Sequence, residues 1–165
     1  MAILEVRTYP DPLLQQMSAE VGTLTAEERE FVKDLVHTMY EYDGVGIAAP
    51  QVGVLKRIIV VSPESKPGTE KVYLNPKIIS QEGEEVGVEG CLSVPGVSGE
   101  VRRAKTIRVE AQDLDARPLD FKAAGFEARI VQHEIDHLNG KLFIDRIGFK
   151  QRQDMVANLR AFKRM

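Results

Sequence analysis

The stretch QHEIDHLNG, residues 132–140, decides how this chain is read. It contains His-Glu-x-x-His, a pattern with geometrical meaning only on an α-helix. A helix rises about 1.5 Å and turns about 100° per residue, so side chains four apart stand above one another on one face. His133 and His137 can then reach a single ion. Glu134, on the rim of that face, can take a proton from water at the ion without being a ligand itself. The surroundings agree with a helix: Ala123, Ala124, Ala128, Ile130, Val131, Ile135 and Leu138 suit a buried one, and Asn139-Gly140 supplies a stop.

Outward from this helix the pattern is mixed. Thr25-Ala-Glu-Glu28 reads as a capping box opening a helix that runs to about Tyr42, with Phe31, Val32, Leu35, Val36 and Met39 on its apolar face. Short strands are expected at 57–61, 71–74, 78–81 and 85–88. A further strand at 106–112 alternates Ile107, Val109 and Ala111, and the turn DLDARP leads into another at 118–121. The motif helix begins near Ala123. A last helix is expected after Phe149, marked by Met155, Leu159 and Phe162. Many strands with few helices predict an α+β fold: mostly antiparallel strands packed around the central HExxH-bearing helix, with an N-terminal helix and a C-terminal helix.

Composition narrows the class. With 165 residues, 43% hydrophobic and 28% charged, the chain is expected to form a single domain over residues 1–165, of which 150–165 are a basic C-terminal helix. A net charge of −3 gives no general argument for nucleic-acid or membrane binding. MAILEVRTYP has no basic region followed by a long apolar run, and no apolar stretch approaches the roughly 18 residues of a membrane span. A single cysteine makes no internal disulfide. A cytoplasmic location is expected.

The two histidines need a third ligand. Zinc endopeptidases supply another His or Glu downstream of the motif, but after Asn139 this sequence has neither, leaving only Asp145 and Asp154. Upstream lies Cys91 in EGCLSVPG, after an expected strand and beside Gly90, where the backbone can approach an ion closely. A thiolate, two imidazoles and one open position make a complete catalytic site. A lone cysteine is nevertheless often a small buried hydrophobe.

Three segments taken together resolve that choice by resemblance. Gly44-Val45-Gly46-Ile47-Ala48-Ala49-Pro50-Gln51, Glu89-Gly90-Cys91-Leu92-Ser93 and Gln132-His133-Glu134-Ile135-Asp136-His137 resemble, in order, the three signature motifs of the peptide deformylase family. The resemblance spans residues 44–137. Position 47 is Ile where the first motif usually has Leu, a change of branching that keeps volume. The short connection from Gln51 to Asn75 and the tail after Phe149 resemble the compact bacterial form. GVGIAA also fits a relaxed dinucleotide fingerprint, but here a helix precedes it, and Pro50, Gly53 and a strand follow.

The resemblance implies removal of the N-formyl group from an N-formyl-methionyl peptide, with release of formate. It implies Cys91, His133 and His137 as ligands of one divalent metal ion, Fe(II) before Zn(II), with Ni(II) and Co(II) also compatible with these donors. Glu134 carries the proton; the Gln51 amide and the Leu92 N–H face the oxyanion. The backbone at Gly44, Val45 and Gly46 has room to pair with an extended peptide. Helix spacing directs Phe126 and Ile130 towards the His133 face, as walls of a methionine pocket. Asp136 is expected to pair with Arg102 or Arg103. Lys150, Arg152, Arg160, Lys163 and Arg164 make the tail basic; a solvated helix face is the default reading of such charges, and the resemblance implies ribosomal RNA contact there. A metallo-endopeptidase and a protein with a closed structural metal site are the alternatives.

Overall fold

In the computed structural model, residues 2–148, 151–154 and 156–157 are described. After an N-terminal segment and a 3-10 turn at Pro12–Gln15 come α1 (Ala26–Glu41), β1 (Gly46–Ala48), a second 3-10 turn (Ala49–Val52), β2 (Ile58–Val61) and β3 (Lys71–Glu82). Then follow β4 (Glu85–Cys91), β5 (Val94–Arg103), β6 (Thr106–Gln112), β7 (Pro118–Ala124), α2 (Gly125–Leu138) and a 3-10 turn at Phe143–Arg146. Every pairing between these named strands is antiparallel. One sheet has the order β1-β2-β3-β6-β7, and β4 and β5 form a second, two-stranded sheet. The α+β expectation holds.

Period-two alternation places a helix on each face of the larger sheet. On β2, Ile59 and Val61 face one way, into a core with Val109, Ala128, Val131 and Leu138. Ile58 and Val60 face the other way, into a core with Val32, Leu35 and Met39 of α1. All four β2 residues are therefore buried. Thr25 caps α1: its Oγ1 accepts from the Glu28 N–H, and the Glu28 carboxylate accepts from the Thr25 N–H.

The strand pattern differs from the expected one in three places. The segments 71–74 and 78–81 are one strand, β3, with its register shifted between Leu74 and Lys77. At the shift Asn75 has φ 49°, and its side-chain amide bonds the backbone N–H and C=O of Val21 at 2.9 and 2.8 Å, so the irregularity is satisfied from outside the sheet. Gly46–Ala48, where no strand is read from the sequence, is the edge strand β1. No strand is read from the sequence between 88 and 106, and Pro95, Gly96 and Gly99 do disfavour one there. Seven paired positions on β4 nonetheless hold residues 94–103 as β5. Residues 151–154 are helical, whereas Lys150, Met155, Leu159, Arg160, Phe162, Lys163 and Arg164 of the expected C-terminal helix lie outside the described residues. Among the described residues no helix is long and apolar enough to cross a membrane.

Candidate metal centre and cleft

His133, Glu134 and His137 lie on α2, whose ten residues from Ala128 and Ile130 through Leu138 are buried. Cys91 ends β4. Its Sγ stands 3.3 Å from His137 Nε2, and one donor atom from each of Cys91, His133 and His137 lies within 4.8 Å of the others. A sulfur and two imidazole nitrogens so close together fit the donor set of a catalytic divalent ion with one position left open. His133 has its other nitrogen engaged: Nδ1 is 2.8 Å from Glu89 Oε1, which orients the ring and leaves Nε2 free. His137 Nδ1 is buried without a hydrogen-bond partner among the described residues.

The field around these donors is uneven. Burial alone disfavours a charged His133, but Glu134, Cys91 and Glu89 together hold its pKa well above the ordinary value. Surroundings that favour a proton's positive charge also favour a metal cation. His137 goes the other way: burial, His133 and Arg103 push it well below the ordinary range, which keeps its ring neutral and able to donate a lone pair. Burial pushes the Glu134 carboxyl up to about 7, although the His133 charge opposes this. Glu134 Oε1 is buried and has no hydrogen-bond partner among the described residues.

Gln51 comes from the turn after β1. Its Oε1 accepts from the Ala48 N–H at 2.9 Å, which turns Nε2 towards Cys91 Sγ at 3.5 Å and Ser93 Oγ at 3.3 Å. Gly46 explains the glycine of β1: a Cβ there would lie 2.6 Å from Glu134 Oε2 and 2.7 Å from Ile130 Cγ2. The β1 backbone therefore passes against the Glu134 side chain, an approach only glycine permits. A cleft of about 690 Å³ opens over the cluster, and its lining includes Gly44, Val45, Gly46, Leu92, Phe126 and Ile130. Every residue expected at the site thus borders one cleft or the donor cluster beneath it. Phe126 is exposed and Ile130 buried, so the two stand at different depths.

Sequence reasoning foresaw a partner for Asp136 but missed Glu89 and Arg129 among the side chains that hold the cluster together. Buried Glu89 accepts from Arg103 Nε and Nη2 at 2.9 and 2.8 Å and from Arg129 Nη1 at 2.7 Å, besides meeting His133. Burial would raise the Glu89 pKa, but Arg103 and His133 hold it far below the usual carboxylate range. Arg103 continues to Asp136 at 2.6 Å, and Arg146 Nη2 meets the other Asp136 oxygen at 2.7 Å. Of the two partners expected for Asp136, Arg103 is the one present; Arg102 faces outward near Glu84. A signal existed: on a strand, residues 89 and 91 share a face, so an acid two before the cysteine points the same way.

Comparison with known proteins agrees with this geometry. Residues 3–153 match the family model described as Polypeptide deformylase. This chain belongs to the peptide deformylase family. A peptide deformylase of Thermomicrobium roseum is 46% identical over 153 residues, covering 89% of this chain and 87% of that protein. One from Chromobacterium violaceum is 38% identical, covering 97% and 96%. The crystal structure of a peptide deformylase from Legionella pneumophila superposes with a TM-score of 0.95 at 39% identity, over 99% of this chain and 96% of that one. A peptide deformylase from Ehrlichia chaffeensis, solved in complex with actinonin, gives 0.92 at 37%, over the whole of both chains. The chain is accordingly a metal-dependent deformylase: a hydrolase that removes the formyl group from the N-terminal formyl-methionine of new polypeptides and releases formate.

Proposed function

We propose that deformylation is carried out here by Cys91, His133 and His137 as ligands of one divalent ion, Glu134 as proton carrier, and the Gln51 amide and Leu92 N–H as donors to the oxyanion. Fe(II) is the first choice of ion, then Zn(II), with Ni(II) and Co(II) compatible with the same donors. When bound, the ion polarises the formyl carbonyl and lowers the pKa of water. Glu134 suits the proton's path: a carboxyl held near pH 7, with an unpaired Oε1, can take a proton from the attacking water and return it to the departing amine. Gln51, its Oε1 pinned by Ala48, presents Nε2 as a donor with little freedom left to lose.

The peptide is read as lying along Gly44, Val45 and Gly46, with the methionine side chain between Phe126 and Ile130. The observation that carries this reading is the convergence of one thiol and two imidazoles beside an unpaired buried carboxylate oxygen. Glu134→Ala should keep its metal yet release formate from a formyl-Met peptide at least about 10²-fold more slowly. Full activity at normal metal content would remove Glu134 from the mechanism.

The whole chain is read as one catalytic domain working in the cytoplasm, where new polypeptides begin. Its basic tail, with Lys150, Arg152, Arg160, Lys163 and Arg164, is read as a contact for ribosomal RNA. Replacing Arg160, Lys163 and Arg164 by Glu should reduce co-sedimentation with ribosomes at low salt while leaving turnover of a short formyl-peptide unchanged. Equal co-sedimentation would end the docking idea.

A further inference from the structure

The N-terminal segment ahead of the first turn is bonded at Ala2, Leu4, Arg7 and Tyr9 to parts of the molecule that otherwise belong to separate elements. The Ala2 N–H donates to Asp34 Oδ1 and the Leu4 N–H to Thr38 Oγ1, both on α1. Further along, the Arg7 N–H donates to the Gln51 carbonyl at 2.6 Å and the Tyr9 N–H to the Ser93 carbonyl at 2.7 Å. Gln51 belongs to the turn after β1, in the larger sheet; Ser93 lies between β4 and β5, in the smaller one. Val6 and Thr8, which alternate with the two bonded residues, line the cleft, as an extended segment requires. The Tyr9 side chain packs with Cys91 against Val94, Val101 and Phe143, and the Arg7 guanidinium lies over Gly53.

The side-chain amide of Gln51 crosses the same gap to Ser93, held at its oxygen by the Ala48 N–H. Nε2 reaches Ser93 Oγ and Cys91 Sγ, and the Ser93 N–H stands 3.4 Å from the same sulfur. Across this gap the side-chain contact from Gln51 Nε2 to Ser93 Oγ is long at 3.3 Å, whereas the two backbone bonds from the N-terminal segment are short. We propose that residues 7–9 form a clamp that sets the distance between the Gln51 turn and the Cys91–Ser93 turn, with Arg7 and Tyr9 as positioning residues acting through their backbone N–H groups on the Gln51 amide. This inference rests on the role given to Gln51 above. A donor preorganised for an oxyanion loses its value steeply with displacement, so the clamp should act on turnover more than on binding.

Arg7→Pro removes the N–H that meets Gln51, and Arg7→Ala, which keeps it, is the reference. Against that reference Arg7→Pro should lower kcat on a formyl-Met dipeptide roughly tenfold, with KM and metal content unchanged. In a Gln51→Ala background the same pair should differ by less than about twofold, because a clamp acting through Gln51 has nothing left to position. A merely structural role would produce the same loss in both backgrounds and would overturn the proposal. Equal kcat for Arg7→Pro and Arg7→Ala would overturn it too, while a Gln51→Ala enzyme as active as the parent would sink both this inference and the reading of Gln51. If Arg7→Pro does not fold, amide hydrogen exchange of the unaltered protein decides. Arg7 and Tyr9 should exchange as slowly as the β2 amides; rates of a free terminus would overturn the clamp.

Discussion

Helix α2 is held on its two sides by different forces. Towards the five-stranded sheet it presents Ala128, Val131 and Leu138 to Ile59, Val61, Ile107 and Val109, an apolar contact that fixes depth but has little directional preference. Towards the β4–β5 sheet it presents His133, Asp136 and Arg129, met by Glu89 and Arg103 through hydrogen bonds of 2.6 to 2.9 Å. Ion pairs out of water add little net stability compared with apolar packing, yet they specify geometry. The difference teaches that the apolar side keeps the helix in the fold, and the charged side places the strand that carries Cys91 at the right distance from the histidines.

Three substitutions would break or sharpen this contrast. The largest effect is expected from Arg103→Ala, which strips Glu89 and Asp136 of their shared, almost wholly buried partner. Stability should fall by about 3–5 kcal/mol in urea unfolding. Metal affinity should fall by about 10–100-fold, because Glu89 no longer holds His133 firmly. Unchanged affinity in the folded variant would show that the charged side does not position the ligands.

Leu138→Ala tests the opposite side, at a residue with no exposed surface. It should cost about 3 kcal/mol through lost burial and a residual cavity, while metal affinity of the folded protein stays at the parent's value. A parallel fall in metal affinity would mean that the two sides are not separable.

Arg129→Met is the mildest. It removes the bonds to Glu89, the Val101 carbonyl and the Glu85 carbonyl, but Glu89 keeps Arg103 and His133. A loss of about 1–2 kcal/mol is expected, with faster metal dissociation, read by transfer of the ion to a chelator. Dissociation as slow as the parent's would confine the positioning role to Arg103.

How far the sequence could be read depended on the range of the interaction involved. The Thr25 capping box, the α2 helix and β6 were legible because each is set within a few residues by backbone periodicity and capping. β5 was not, since its own residues argue against a strand and only pairing with β4 overrides them. β3 looked like two strands because Asn75-Pro76 reads as a break; the amide contacts that bridge it come from Val21 and Gln112, both distant in sequence. Among site residues, the HExxH trio stood out by spacing, and Gln51 and Leu92 entered through resemblance. Arg103 was foreseen only as one of two partners for Asp136, and the grip of Glu89 on His133 was passed over, because a charged residue in an alternating strand ordinarily faces water.

The sequence by itself determined that two histidines and a glutamate share a helical neighbourhood, because the backbone's own period of 3.6 residues sets that geometry wherever a helix forms. It also limited the sulfur donor to Cys91, the chain's one cysteine. Only the tertiary structure decided that this sulfur, 46 residues before His137, comes within 3.3 Å of its ring, and that Glu89 turns inward to hold the other histidine. Such approaches arise from strand pairing, apolar packing and buried ion pairs acting together against the entropy of closing a long loop. No local pattern encodes their sum, so the distances at the centre follow from the whole fold.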